Sequence, residues 1–180
     1  MDTDELKTQV KSEIPLLAMH LSKTDIHFLV QSLTEKDDAV RYNAFLYLQS
    51  NSHQFPFVYE YWSELEKKLE STNSYQRSLG IMLIAENVRW DKDGKFRNII
   101  SRYLSCCSDE KFITARQAIQ GLAVALNTTD KYDNEIKQSL VHLPLLQYKE
   151  NQQKILNKDI SNILKIIEKR INSQNKSENS

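Results

Sequence analysis

Apolar residues recur at steps of three and four along most of this chain, and short polar clusters interrupt them. That pattern predicts amphipathic helices joined by short loops. The best-formed stretch is 74–91, SYQRSLGIMLIAENVRWD, in which Leu79, Gly80, Leu83 and Ile84 fall on one inward face. Before it, a short leading helix is expected over 4–11, with Leu6 and Val10 four apart, and Pro15 opens a turn carrying Leu16, Leu17 and Met19. Thr24 and Asp25 are cap-type residues before a helix holding Ile26, Phe28, Leu29, Val30 and Leu33. Asp37 and Asp38 open the next, whose inward stripe is Val40, Ala44, Phe45 and Leu48; a loop is expected over 51–54. Pro56 then suits an early position in a helix carrying Val58, Tyr61, Trp62, Leu65 and Leu69.

Beyond the charged turn at 91–94, Phe96, Ile99, Ile100, Tyr103 and Leu104 mark a helix ending near Cys107. Ser108, Asp109 and Glu110 read as the cap of another, with Ile113, Ala115, Ala118, Ile119, Leu122 and Leu126 inward. Ile136, Leu140 and Leu143 mark one more before Pro144, which blocks simple continuation. A long last helix is expected from about Lys149 to Arg170, with Ile155, Ile160, Ile163, Leu164 and Ile167 inward. Residues 1–171 read as one domain, and 172–180, which lacks an apolar anchor, as a disordered polar tail.

Three stretches echo one another. Asp38 is followed by Val40, Arg41, Ala44 and Leu48; Ser74 by Gln76, Arg77, Gly80 and Ile84; Asp109 by Ile113, Arg116, Ala118 or Ile119, and Leu122 or Ala123. Arg41 and Arg77 are 36 positions apart, Arg77 and Arg116 are 39, and one other helix lies in each interval. The repeating unit is therefore a helix pair whose apolar face is too large to bury alone, so neighbouring pairs must stack. Ala44 and Gly80 fall where helices approach closely. A mid-helix glycine costs about 1 kcal/mol relative to alanine, so close packing is the natural reason to keep one.

Composition agrees and narrows the chemistry. Three glycines and three prolines in 180 residues are too few for a sheet rich in tight turns. Basic and acidic residues balance at 24 each, which argues against a strong uniform field for nucleic acid or anionic membrane. The two cysteines, Cys106 and Cys107, are adjacent, which disfavours an ordinary structural disulfide and points to a reducing, cytoplasmic compartment. The acidic polar N-terminus reads as no signal peptide, and the densest apolar run, 81–85, is far short of the roughly 20 residues that a span requires.

The stretch DDAVRYNAFLYL, an acidic cap followed by Val-Arg, Ala and Leu, resembles the second helix of a HEAT repeat. Over roughly 24–170 the chain is similar to small bacterial HEAT-like (armadillo-type) proteins, and SYQRSLGIMLIAENVRWD and DEKFITARQAIQGL look like stretches of one poorly characterised group among them. The resemblance implies an all-α fold, an α-solenoid of stacked antiparallel helix pairs in a HEAT-like superhelix. It implies little about activity. The third repeat departs from the pattern, since Arg116 sits one place late against its apolar stripe.

Several residues could carry function. Arg41, Arg77 and Arg116 are either a ladder bonding each repeat to the next or a basic row for phosphate or an acidic partner. The exit Arg89, Trp90, Asp91 and Lys92 sets an aromatic ring beside a carboxylate and two cations. HEAT-like alkylpurine DNA glycosylases use aromatic and acidic groups in a cleft, though their catalytic positions do not map onto this chain. The bland alternative is that Trp90 plugs a gap while its neighbours face water. No calcium loop fits Asp91: starting there, the required glycine and glutamate positions hold Phe96 and Arg102. Adjacent thiols without a nearby histidine or second pair make a poor zinc or iron–sulfur site. His20, His27, His53 and His142 are scattered, and Glu60 and Glu64 read as solvated partners of Lys67 and Lys68. The dense aromatic group Phe55, Phe57, Tyr59, Tyr61 and Trp62 is either partner-facing or packed on the preceding unit.

The sequence is thus read as a non-enzymatic interaction or scaffold module with no cofactor or metal. It would bind a protein or peptide through Arg41, Arg77, Arg116, Tyr61, Trp62 and Trp90. The alternative is a nucleic-acid-binding protein centred on Arg89, Trp90 and Asp91.

Overall fold

The structure is a computed structural model that describes the backbone of residues 1–178 and the side chains of residues 1–173. Among the described residues it is all-α, with no strand. The α-helices are α1 (Thr3–Thr8), α2 (Ile14–Leu17), α3 (Lys23–Ser32), α4 (Asp38–Ser52), α5 (Trp62–Lys68), α6 (Ser74–Asn87), α7 (Lys95–Ser105), α8 (Phe112–Leu126), α9 (Asp133–Val141) and α10 (Glu150–Glu178). Short 3-10 turns continue α2, α6 and α7, and another at Val58–Tyr61 leads into α5. Among the described residues no helix is long and apolar enough to cross a membrane.

Local chemistry sets most helix starts. Asp2 with Glu5, and Ser22 with Asp25, form capping boxes that satisfy orphan amides of α1 and α3. Asp37 caps α4 through Ala39 and Val40, and Asn73 caps α6 through Tyr75. Asp109 stands 36 positions beyond Asn73, yet α8 begins later, at Phe112, behind Lys111, which makes no side-chain cap. The expected 108–110 cap holds in part: Asp109 Oδ1 accepts from the Lys111 amide at 2.8 Å, while both Asp109 oxygens also accept from Arg77. Gly94, at φ 73°, occupies the left-handed region before α7, where a side chain would be strained.

α4, α6, α8 and α10 touch one another in chain order. α1, α2 and α3 pack on α4, α5 packs on α6, the turn after α7 packs on α8, and α9 packs on α10. One continuous apolar core results, in which Tyr47, Trp62, Phe96 and Tyr103 are the largest fully enclosed side chains. Each such aromatic contributes about 3–5 kcal/mol, by the usual cost of truncating one to alanine.

Gly80 behaves as its position predicts. A Cβ there would lie 2.8 Å from Lys68 Cβ and 2.9 Å from the Leu65 carbonyl, so α5 and α6 cross where only glycine fits. Buried polar bonds tie α4 to the turn after α2 and to α6. Asn51, 1% exposed, donates to the Ala18 carbonyl, and Asn87, 0% exposed and 36 positions later, donates to Ser52 Oγ. Such bonds satisfy groups that would be costly to bury alone.

Several expectations change. Ile113 is 59% and Ile155 37% exposed, while Leu156 takes the inward place expected of Ile155. Helix α4 continues to Ser52 through the expected loop. Glu60 pairs with Lys23 at 3.0 Å, and Lys68 is buried against Gln76, so the expected Glu60/Glu64 pairs with Lys67 and Lys68 do not form. Helix α10 is described as far as Glu178, and residues 179 and 180 of the expected polar tail lie outside the described residues.

Candidate functional site

A groove of about 710 Å³ runs across α4, α6, α8 and the segment entering α10. Tyr42 and Phe45 come from α4, Tyr75 and Met82 from α6, Ile113 from α8, and Tyr148 from the last segment. Tyr42, at 41% exposed, and Ile113, at 59%, are open to an arriving molecule, while Phe45 and Tyr148 are nearly enclosed. The floor is polar: Ser78 Oγ lies 3.1 Å from Thr114 Oγ1, and Gln117 Oε1 is buried with no partner among the described residues. Glu110, Lys111 and Lys149 supply the charges along the groove, the first two paired with each other at 3.5 Å. Large rings, one sulfur and an unmet acceptor suit an apolar segment that carries a hydrogen-bond donor.

None of the groove-lining residues named here was singled out from the sequence as a site. The signal was present in 74–91, where Tyr75, Ser78 and Met82 make a second stripe beside the core residues Leu79 and Leu83. A helix that carries apolar residues on two faces has two surfaces to cover.

The three arginines hold different posts. Arg77 donates through Nε and Nη2 to both Asp109 oxygens at 2.6 and 2.8 Å, and through Nη1 to the carbonyls of Ser71 and Thr72. Arg41 donates to the equivalent carbonyls, Glu35 and Lys36, but its carboxylate is the local Asp38, and its guanidinium lies 4.9 Å from the Tyr75 ring centre. Arg116 reaches forward to Asp159 on α10 at 2.9 Å. The loop carbonyls of its own unit, Ser108 and Asp109, are taken instead by Gln147 and Tyr148. Arg77 and Arg116 thus bond their helices to a later segment, whereas the bonds of Arg41 are local and it meets α6 only through the Tyr75 ring. Asp109 and its neighbours hold the Arg77 guanidinium still further above its ordinary range, chiefly by the hydrogen bonds between them.

The exit of α6 has structural duties that its sequence does not reveal. Asp91 Oδ1 accepts from Tyr59 Oη at 2.8 Å and from the Lys95 amide at 2.9 Å, and Oδ2 accepts from the Phe96 amide at 2.8 Å. Asp91 is therefore the side-chain cap of α7, placed three residues upstream of Gly94. Burial, with the Asp91 and Asp93 carboxylates beside it, pushes the Tyr59 hydroxyl well above the usual phenol range. Trp90 Nε1 donates to the Ser52 carbonyl at 2.8 Å. Arg89 donates to the carbonyls of Glu86 and His53, and with His53 it flanks the buried Glu86 carboxylate. Asp91, next to Trp90 in the chain, thus spends its carboxylate on Tyr59 and the first amides of α7.

Trp62 is 2% exposed and packs edge-on against Tyr59, so it belongs to the core, while half-buried Tyr61 lies against His27. The aromatic group thus packs largely inward, away from the groove. Cys106 and Cys107 are buried free thiols; burial pushes Cys106 up to about 11 and Cys107 higher still. Thiols held protonated in this way react poorly.

Comparisons with protein-family models, with curated proteins and with solved structures found no match to this chain.

Proposed function

We propose that this chain is an α-solenoid of stacked antiparallel helix pairs, HEAT-like in kind, and that it works as a non-enzymatic interaction module. Its occupant is an amphipathic peptide segment of another protein, laid in the groove across α4, α6 and α8. The observation that carries this reading is the groove itself: exposed Tyr42 and Ile113 beside Tyr75 and Met82, over a floor holding the unmet Gln117 acceptor. Such a lining matches helix-in-groove or extended-segment recognition, in which a few bulky apolar anchors provide most of the affinity. The order of helix contacts and the recurrence of arginine, cap and small residue near a 36-residue step support the solenoid.

Arg77 is unsuited to testing this, since reversing a charge inside a buried pair would unfold the chain before it altered a surface. Ile113→Asp and Tyr42→Asp change exposed side chains instead. Peptides selected from a random library on the wild-type chain should carry two or three bulky apolar residues at helical or alternating spacing. They should lose at least about tenfold in affinity, roughly 1.4 kcal/mol, on the Ile113→Asp variant. Selected peptides that bind both variants as tightly as the wild type would place recognition elsewhere.

A further inference from the structure

Lys68 is the one buried lysine among the described residues, at 9% exposed. Its stem packs over Gly80, and its ammonium donates to Gln76 Oε1 at 2.5 Å; Gln76 in turn donates to the Leu33 carbonyl at 2.7 Å. An ammonium carries three donors, so two remain. Lys68 ends α5, whose C-terminal dipole favours a cation there, yet no carboxylate among the described residues is paired with it. A buried charge without a counter-ion is costly, and burial alone draws the Lys68 amine below its ordinary value.

Lys68 lines a cleft of about 570 Å³ between the α3–α4 turn and the α5–α6 turn. Its charged lining also includes Lys36, Arg41, Lys67, Glu35 and Glu64. Arg41 already has Asp38, whereas Lys36 and Lys67 make no ion pair among the described residues. Three lysines thus face two glutamates, and the excess positive charge sits where one ammonium has donors to spare. The groove proposed for peptide binding lies on other residues of α4 and α6, so this cleft is a separate feature.

We propose that the cleft between the α3–α4 and α5–α6 turns binds a small oxyanion, a carboxylate or a phosphate group, with Lys68 as its buried cation and Lys36 and Lys67 at its mouth. An oxyanion there would accept the two remaining Lys68 donors and supply the counter-charge that Lys68 lacks. Such charge-assisted bonds are about twice as strong as neutral ones.

The test uses the full chain with lysine labelled by 13C at Cε. Inorganic phosphate, and in a second arm acetate, replaces chloride at constant ionic strength. The Lys68 signal, identified by its loss in Lys68→Met, should shift saturably, and its titration midpoint should rise, because an anion stabilises the ammonium. Exposed lysines such as Lys154 should track ionic strength alone. Saturation by phosphate only assigns a phosphate group, and saturation by acetate only assigns a carboxylate; saturation by both assigns either oxyanion. The Lys36→Ser/Lys67→Ser variant changes only exposed positions and should bind several-fold more weakly. If Lys68→Met does not fold, Lys68→Arg provides the identification. No saturable Lys68 shift in either arm overturns the proposal, as does undiminished affinity in the double serine variant.

Discussion

Arg77 lies with its side chain 12% exposed, between two carbonyls of its own loop and an Asp109 carboxylate 6% exposed. Removing one partner strands the other, which costs about 3–5 kcal/mol in a buried pair. Arg116 is 38% exposed toward Asp159, where solvent screening leaves about 1 kcal/mol or less. Arg77→Ala should therefore lower stability by about 3 kcal/mol, and Arg116→Ala by under about 1 kcal/mol, in urea unfolding. Equal losses would mean that the two pairs are equivalent after all. The thiols give a second prediction at this scale. The folded state holds the Cys106 proton more tightly than the unfolded chain does. Cys106 thus favours folding fully below the unfolded thiol's value of roughly 8.5, and this contribution fades as pH climbs toward about 11. At pH 8 neither cysteine should react with a disulfide reagent until the chain is denatured. Rapid labelling of the native protein would contradict the burial.

Among the elements, α7 shows how a helix start depends on a residue outside it. Gly94 supplies the backbone turn but no side-chain oxygen; Asp91 supplies the oxygens and also receives the Tyr59 hydroxyl. Asp91→Ala should cost about 1–2 kcal/mol, the usual range for a lost cap, measured by thermal unfolding. A neutral result would show that the cap is dispensable. The α5–α6 crossing sets a second case. Alanine is the better helix former by about 1 kcal/mol, but a Cβ at Gly80 meets the Leu65 carbonyl and Lys68 Cβ inside normal contact. Neither neighbour is a flexible tip, so overpacking outweighs propensity, and Gly80→Ala should destabilise by about 1–2 kcal/mol. A stabilised variant would mean that α5 and α6 can separate freely.

For the whole molecule, the contacts run from each helix to the next few in order, and the last of them close the core. Leu156, Ile160, Ile163 and Ile167 of α10 are buried, and α10 packs on α8 and α9. A chain ending at residue 143 would leave the α8 surface uncovered. It should bind a hydrophobic dye and lose its sharp unfolding transition, because apolar surface that α10 covers would meet water. Retention of a single sharp transition would show that the units before α10 form a complete core.

The helices, most of their starts and their inward stripes were legible in the chain. Val40, Ala44, Leu48, Leu79, Leu83 and Ile84 are all buried as their spacing predicts. Helix periodicity and capping act within four residues, so the sequence records them directly. The near-regular placing of Arg41, Arg77 and Arg116 was equally plain. What Arg77 and Arg116 hold was decided by the fold, because Asp109 and Asp159 reach them from distant segments, while Arg41 takes the local Asp38. The same holds for Asp91, whose oxygens serve Tyr59 and α7, and for Lys68, whose burial follows from the glycine opposite it. The groove too is a product of juxtaposition: Tyr42, Tyr75 and Ile113 lie more than 30 positions apart in the chain and meet only when α4, α6 and α8 lie side by side. Local sequence determines where this chain is helical and which stripe of each helix is apolar. Which of its polar groups are spent on structure, and which remain to meet a partner, depends on contacts across whole units, and only the tertiary structure assigns them.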